Sequence, residues 1–421
     1  MNAVRLSPPP GPVRATIPLA SSKSESNRAL IINALTGFAG ELTNLASARD
    51  TQTMIRLLNA TDPTADVLDA GTTMRFLTAY FAVTNQQKVM TGTPRMCERP
   101  IGILVDALRS LGADITYLRN DGYPPLQLSG FTYAGQNRLR IRGDVSSQYI
   151  SALLMIAPAL PDGLVIELTG DIGSRPYIDM TMAQMRHFGA DVTADWDARM
   201  LTVAPKPYVP TTFAVESDWS GASYWYSVVA LAPQGAELEL LGLKEQSLQG
   251  DRAIADIMEP LGVRSQFTET GVRLTGIPAD SALAWDFTDC PDLAQTVAVC
   301  CALKGIVLTM TGIESLKIKE TDRVAALQTE LQKLGAELVE VEPNTRYVVR
   351  ALPSAPAGAP AAGAPERRPP VIHTYDDHRM AMAFAPVAMR QEVIIEEPGV
   401  VAKSYPSFWD DFARVATVTM E

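Results

Sequence analysis

The residues with chemistry to offer begin at SSKSESNR (21–28), where Lys23 and Arg28 stand among four serines and an asparagine in a chain of formal charge -11. The apolar run LIINAL follows at once, so the stretch reads as the start of a helix. A helix start leaves N–H groups unpaired and carries partial positive charge, and added cations make it a place for anions. Five more polar stretches introduce apolar runs: DAGTTMR (69–75), DVSSQY (144–149), ESDWSGAS (216–223), TDCPDLAQ (288–295) and YDDHRM (375–380). Helix capping accounts for ESDWSGAS. Cations or several hydroxyls exceed what a cap needs in SSKSESNR, DAGTTMR and DVSSQY.

A second set of cations lies in RMCERP with Arg95 and Arg99, GSRPY with Ser174 and Arg175, KIKETDR with Lys317, Lys319 and Arg323, and AKSYP with Lys403. Each alone reads as a solvated loop; their recurrence at one position of a repeat argues for convergence on a ligand with two or more negative groups. Arginine grips carboxylate or phosphate as a fork, whereas lysine offers a mobile point charge. The carboxylates among them are Asp292, Glu320, Asp376 and Asp377. A carboxylate among cations has a depressed pKa and stays ionised, the form in which it can accept a proton. Glu320 reads equally well as a salt-bridge partner of Lys319.

The elements that must position these groups come in a repeat. RPIGILVDALRSLGAD, RPYIDMTMAQMRHFGAD, GDRAIADIMEPLGV and TDRVAALQTELQKLGAE are amphipathic helices that end at Gly112, Gly189, Gly262 and Gly335, spaced 77, 73 and 73 residues apart. Ile101, Leu104, Val105 and Leu108 follow the spacing of one helix face. Weaker copies at RDTQTMIRLLNATDP and YPSFWDDFARVA bring the number to six. A short strand precedes each, joined by a loop of about a dozen residues. Between them lie ALIINAL, FLTAYFAV, ISALLMIAPAL, YWYSVVALA, TVAVCCAL and AMAFAPVAM, apolar on nearly every face and therefore buried.

The pattern predicts an α/β fold of two domains, each of three βαβαββ repeats with buried helices inside and sheets outside, an inside-out α/β barrel. One domain is expected at 1–19 with 216–421, the other at 20–215, with an anion-binding cleft between them. LPSAPAGAPAAGAPERRPP (352–370) reads as a flexible surface insert.

Other chemistry finds little support. There is no stretch of ~20 apolar residues for a membrane span, and the start MNAVRLSPPPGPVRA lacks the apolar core of a secretory signal, so the expected address is the cytoplasm. Four cysteines without paired spacing and three histidines offer no zinc cluster. The acidic balance argues against nucleic acid, and no Walker motif or dinucleotide-binding repeat occurs.

Taken in order, SKSESNRAL, AGTTMR, PRMCERPIGILVDALRSLGA, YPPL, VSSQ, PYIDMT, KETDR, DHRMAMAF and AKSYPSFW resemble the 5-enolpyruvylshikimate-3-phosphate synthase family over nearly the whole chain. The resemblance implies the same two-domain fold and a cofactor-free, metal-free enzyme acting as a monomer. Its reaction would move the enolpyruvyl group of phosphoenolpyruvate to the 5-hydroxyl of shikimate 3-phosphate, releasing phosphate. It implies Asp292 as proton acceptor, Glu320 as proton donor and Lys23 near both substrates. Shikimate 3-phosphate would meet Lys23, Ser24, Arg28, Ser146, Ser147, Gln148, Ser174, Asp292, Ser315 and Lys319. Phosphoenolpyruvate would meet Lys23, Gly71, Arg99, Gln148, Arg323, Arg379 and Lys403.

Some positions depart from the family pattern. Asp69 replaces Asn, an extra anion that should slightly weaken phosphoenolpyruvate binding. Phe76 replaces Pro, which puts sensitivity to the family's phosphonate herbicide in question. Ser315 replaces an Asn that touches substrate, whereas Arg175 for Lys and Asp376 for Asn keep their roles. The related carboxyvinyltransferase acting on UDP-N-acetylglucosamine would need a reactive loop cysteine, for which Cys97 lies in the right loop; SKSESNRAL and KETDR fit the shikimate enzyme better. A non-catalytic anion-binding protein on the same scaffold is opposed by the intact Asp292, Glu320 and Lys23.

Overall fold

The computed structural model describes residues 3–352 and 368–421. Most of the insert expected at 352–370 therefore lies outside the described residues.

Helices alternate between two kinds, as the apolar pattern predicts. In chain order they are α1 (Lys23–Leu35), α2 (Arg49–Asn59), α3 (Gly71–Val83), α4 (Gly102–Leu111), α5 (Ser147–Ile156), α6 (Arg175–His187), α7 (Trp219–Leu231), α8 (Ile254–Met258), α9 (Ala294–Lys304), α10 (Arg323–Gln332), α11 (His378–Phe384) and α12 (Phe408–Phe412). The odd-numbered helices are buried on almost all sides. In α11 every residue is buried, and in α9 the run Val297–Cys301 is wholly inaccessible. The longer even-numbered helices, α2, α4, α6 and α10, bury one stripe, most plainly α4, where Leu104, Val105, Leu108 and Leu111 face inward while Asp106 and Arg109 do not. No described helix is long and apolar enough to cross a membrane.

Glycine ends the amphipathic helices for a steric reason. Gly112 has φ +117°, and a Cβ there would lie 1.9 Å from the Thr132 carbonyl oxygen. An L side chain could neither adopt that conformation nor fit. Gly189, Gly262 and Gly335 share the left-handed φ.

The described strands form six sheets, five of four strands and one of two. Each contains one parallel pair, and a parallel pair needs a crossover, which α3, α5, α9 and α11 supply in four of the sheets. Thus Thr64–Asp66 leads through α3 to Lys88–Thr91, and Ala282–Asp286 leads through α9 to Val307–Thr311. Two further strands follow each even-numbered helix in the complete repeats, and the second of them pairs antiparallel with the central strand. The first repeat departs from this plan. Among the described strands Glu41–Thr43 pairs only with the distant Thr212–Ala214, because the strand after α2 already opens the next repeat.

The chain divides into two compact units, one drawn from Met1–Ala20 and Ser217–Glu421, the other Ser21–Glu216. Each has its own apolar core. That of the first is built around Trp219, Trp225, Phe384 and Phe408, and that of the second around Phe76, Phe81, Leu153 and Phe188. Both N-terminal strands belong to the first unit. Ala3–Ser7 pairs with Val393–Glu396 and Thr417–Met420, and Arg14–Ile17 pairs with Glu237–Leu241.

The loops ahead of the even-numbered helices differ from the uniform dozen residues expected. Those before α2 and α6 are short, and four of the longer ones are tightened by 3₁₀ turns at Met96–Glu98, Gly250–Ala253, Glu314–Ile318 and Pro398–Lys403. Arg99, Lys319 and Lys403 sit on or just beyond these turns.

Candidate active site

In the unit Ser21–Glu216 the polar groups gather at the N-terminal ends of α1, α3 and α5. Ser22 caps α1 by accepting the Glu25 N–H, and Ser146 caps α5. Ala70 precedes α3 with no side-chain cap. Gln148 donates from Nε2 to Thr72 Oγ1 at 2.9 Å, which ties the start of α5 to the start of α3.

Lys23, the first residue of α1, has its Nζ 3.0 Å from a carboxylate oxygen of Asp50, which is 3% exposed in the first turn of α2. Sequence reading missed this role for Asp50, since an acid in a helix's first turn is already explained by the helix dipole. Arg28 lies deeper. Its guanidinium donates to Thr181 Oγ1 at 2.7 Å, to the Ser24 carbonyl at 3.0 Å and to Ser151 Oγ at 3.2 Å. It is flanked by the rings of Phe76 and Tyr177, 5.4 and 5.6 Å from their centroids. Burial brings its pKa down to about 10, against the pull of Tyr177 and Glu25. A buried cation held by neutral hydroxyls and a carbonyl gains from an anion brought to it.

At the start of α3, Gly71 is a cradle. A Cβ there would lie 2.6 Å from Arg75 Nη1 and 2.9 Å from both terminal nitrogens of Arg99. Arg75 is fixed by the carbonyls of Gly71 and Pro100, at 2.9 and 3.1 Å. Arg99 has a buried Nε without a partner, and among the described residues its guanidinium makes no ion pair. Two guanidinium groups and an uncapped helix end, with glycine leaving the space between, are suited to a carboxylate or phosphate. Ser174 stands at the N-cap of α6 with left-handed φ 53°. Ser147 is buried, and Ser146 is exposed.

The other unit carries the carboxylates. Arg323, 2% exposed, reaches three of them. Its Nε is 2.7 Å from Asp377, its Nη1 3.0 Å from Asp292 and its Nη2 2.9 Å from Glu320. Asp292 and Glu320 are therefore held on the two amino groups of one guanidinium. Arg379 Nη2 lies 2.9 Å from the second oxygen of Asp292, and Lys319 Nζ lies 4.0 Å from the first. Lys403, buried on its 3₁₀ turn, has its Nζ 3.7 Å from Glu320. Burial works to raise the pKa of Asp292, but Arg379, Lys319 and Arg323 outweigh it and hold the carboxyl well below the usual range. For Glu320 the pairing with Arg323 and Lys403 stands beside the Lys319 partnership that spacing suggests.

The start of α11 explains how Arg379 is aimed. Asp377 caps this helix by accepting the Arg379 N–H at 2.8 Å while it holds Arg323. Arg379 also lies 3.5 Å from Ser220 Oγ, and Ser220 hydrogen-bonds the buried Asp251. Asp218 caps α7 through the Gly221 N–H at 2.8 Å, as ESDWSGAS suggests. Asp251 escaped sequence reading because its GDR setting matches an ordinary helix start. Ser315 is exposed on the turn Glu314–Ile318 and has no hydrogen bond among the described residues. Cys97 is half-buried, its thiol 3.8 Å from the Gly92 carbonyl.

Residues 60–412 match the family model for EPSP synthase (3-phosphoshikimate 1-carboxyvinyltransferase). A 3-phosphoshikimate 1-carboxyvinyltransferase of Bacteroides fragilis (strain YCH46) is 49% identical over 409 residues, covering 96% of each chain. The chain belongs to the EPSP synthase family. Its members are transferases, and the chain is an enzyme of that class. The protein of the same name from Colwellia psychrerythraea is 36% identical over 436 residues, covering 97% of this chain and 98% of its own. A solved EPSP synthase from Acinetobacter baumannii superimposes over 100% of both chains with a TM-score of 0.78. At 18% identity that likeness speaks to the two-domain inside-out α/β fold alone.

Proposed function

We propose that this chain transfers the enolpyruvyl group of phosphoenolpyruvate to the 5-hydroxyl of shikimate 3-phosphate, releasing phosphate, as a step of aromatic amino-acid biosynthesis. It acts as a cytoplasmic monomer on these two small substrates. The observation that carries this reading is the shared Arg323, which holds Asp292 and Glu320 at 3.0 and 2.9 Å. Addition of a hydroxyl across a vinyl group needs a base and an acid close together.

The reaction runs by addition and elimination. The 5-oxygen bonds to C2 of phosphoenolpyruvate, Asp292 takes the hydroxyl proton, and Glu320 delivers a proton to C3. The tetrahedral adduct then loses phosphate as the C2–O bond breaks and the methyl carbon returns a proton. Lys23, Arg28, Ser24, Ser146, Ser147, Gln148, Ser174 and Lys319 serve shikimate 3-phosphate. Gly71, Arg99, Arg323, Arg379 and Lys403 serve phosphoenolpyruvate, with Lys23 and Gln148 contributing. Ser315 has the least support in its surroundings.

The depressed pKa of Asp292 fits this use. A carboxylate gripped by three cations is a weak base, but the same cations also serve the substrates' anionic groups. Once those groups engage Arg379, Lys319 and Arg323, part of the field that holds Asp292 low is neutralised, and its basicity rises when the hydroxyl is in place.

Phosphate release from phosphoenolpyruvate, with and without shikimate 3-phosphate, tests the reading. Release is expected only with both present. Tight calorimetric binding of both substrates with no phosphate formed would instead make the chain a binding protein.

A further inference from the structure

Asp69 stands two residues ahead of Gly71, next to the cradle formed by Arg75 and Arg99. The backbone fixes its place. Leu68 is left-handed at φ 57°, and its carbonyl accepts the Thr93 N–H at 2.9 Å. A Cβ on Gly92 would come 2.4 Å from that carbonyl oxygen, so the close approach requires glycine there. An anion two residues ahead of an anion site should oppose the ligand.

Arg49 meets that charge. It is the first residue of α2, and its Nη2 lies 3.1 and 3.0 Å from the two carboxylate oxygens of Asp69. The helix that carries it is fixed to α3 by Thr73 Oγ1, which donates to the Asp50 carbonyl at 3.3 Å. Asp50, the next residue, holds Lys23. One turn of a surface helix thus neutralises the anion before α3 and braces the cation that starts α1.

We infer that Arg49 is a specificity-determining residue for phosphoenolpyruvate, which acts by cancelling the charge of Asp69 beside the α3 cradle. The inference rests on the reading that this end of α3 takes phosphoenolpyruvate. It also replaces the expectation that Asp69 by itself weakens binding, because the carboxylate is paired. The Arg49 side chain is 43% exposed, so solvent screens the pair and the effect is modest.

The test measures KM for each substrate in Arg49→Ala, Asp69→Asn and the double variant. Arg49→Ala should raise KM for phosphoenolpyruvate about three- to tenfold, with KM for shikimate 3-phosphate within about twofold of wild type. The increase should shrink in high salt, as an exposed charge effect must. Adding Asp69→Asn should bring KM back to within about twofold of wild type, and Arg49→Lys should retain most of the function. An unchanged KM in Arg49→Ala overturns the inference, and so does a double variant as impaired as the single one. Arg99→Ala, measured alongside, tests the underlying site. If it raises KM while Arg49→Ala does not, the inference alone falls; if both are silent, the placement of phosphoenolpyruvate falls with it.

Discussion

The Arg323 guanidinium donates from Nε to Asp377 at 2.7 Å, with 2% and 0% of the two side chains exposed. This buried pair is the keystone of the carboxylate cluster. Arg323 orients Asp292 and Glu320, while Asp377 sets the start of α11 and the backbone of Arg379. Arg323 neutralises the buried charge of Asp377, and Asp377 is one of the three carboxylates that neutralise Arg323.

Asp377→Ala should therefore destabilise the protein by about 2–4 kcal/mol, through the lost cap and the loss of one of the three carboxylates that the buried guanidinium holds. The thermal midpoint of the unit carrying it should fall by roughly 10 °C. Asp377→Asn, which keeps a hydrogen-bond acceptor, should cost about half as much. A calorimetric scan in which the alanine variant melts with wild type would refute the role.

Asp251 supplies a pH test. It is 2% exposed; Ser220 hydrogen-bonds one carboxylate oxygen, and among the described residues the other has no hydrogen-bond partner. Burial first, and then the charge of Asp292, push its pKa up to about 7, although Arg379 and Ser220 pull the other way and Asp218 adds to the rise. The folded protein thus keeps a proton that the unfolded chain releases near pH 4. The stability linked to that proton is fully present below about pH 4 and is lost as pH rises to about 7. Asp251→Asn removes the titration. The stability of wild type relative to this variant should be greater at pH 5 than at pH 8, by about 2–3 kcal/mol. Urea denaturation at the two pH values measures it, and an equal difference at both would show that Asp251 does not titrate there.

Glu320→Gln keeps the shape of the side chain and an oxygen for Arg323 but cannot hand over a proton. KM for both substrates should stay within about threefold, while kcat falls roughly 10²- to 10⁴-fold. A variant with wild-type kcat would remove Glu320 from the proton-transfer role.

Asp50→Asn tests the brace on Lys23. With the 3.0 Å ion pair weakened, KM for both substrates should rise and kcat should fall, each by about tenfold at most. Lys23→Ala should lose at least as much. Normal steady-state kinetics in Asp50→Asn would mean that Lys23 holds its position without it.

Much of this protein is legible along the chain, because its fold is written locally and repeatedly. Helices such as 297–301 in α9 are apolar on every side, and a helix of that kind has nowhere to go but a core. Gly112 and its three counterparts mark helix ends because only glycine tolerates the backbone there. The cations Lys23, Arg28, Arg99, Arg323, Arg379 and Lys403 stand out against an acidic composition, and their place in the repeat marks them as a set.

Partnerships between those residues are a different matter, since a charge in a sequence has no direction. Nothing in the spacing of Asp50, Asp69, Asp251 or Asp377 says which cation each will face across tens or hundreds of residues. Pairing depends on which helix starts the crossovers bring side by side, and only the folded chain sets Asp50 against Lys23, Arg49 against Asp69 and Asp377 against Arg323. The protonation of Asp292 is likewise a tertiary property. It follows from three cations gathered around a half-buried carboxylate, and electrostatic strength in a low-dielectric setting depends on distances that no single segment contains.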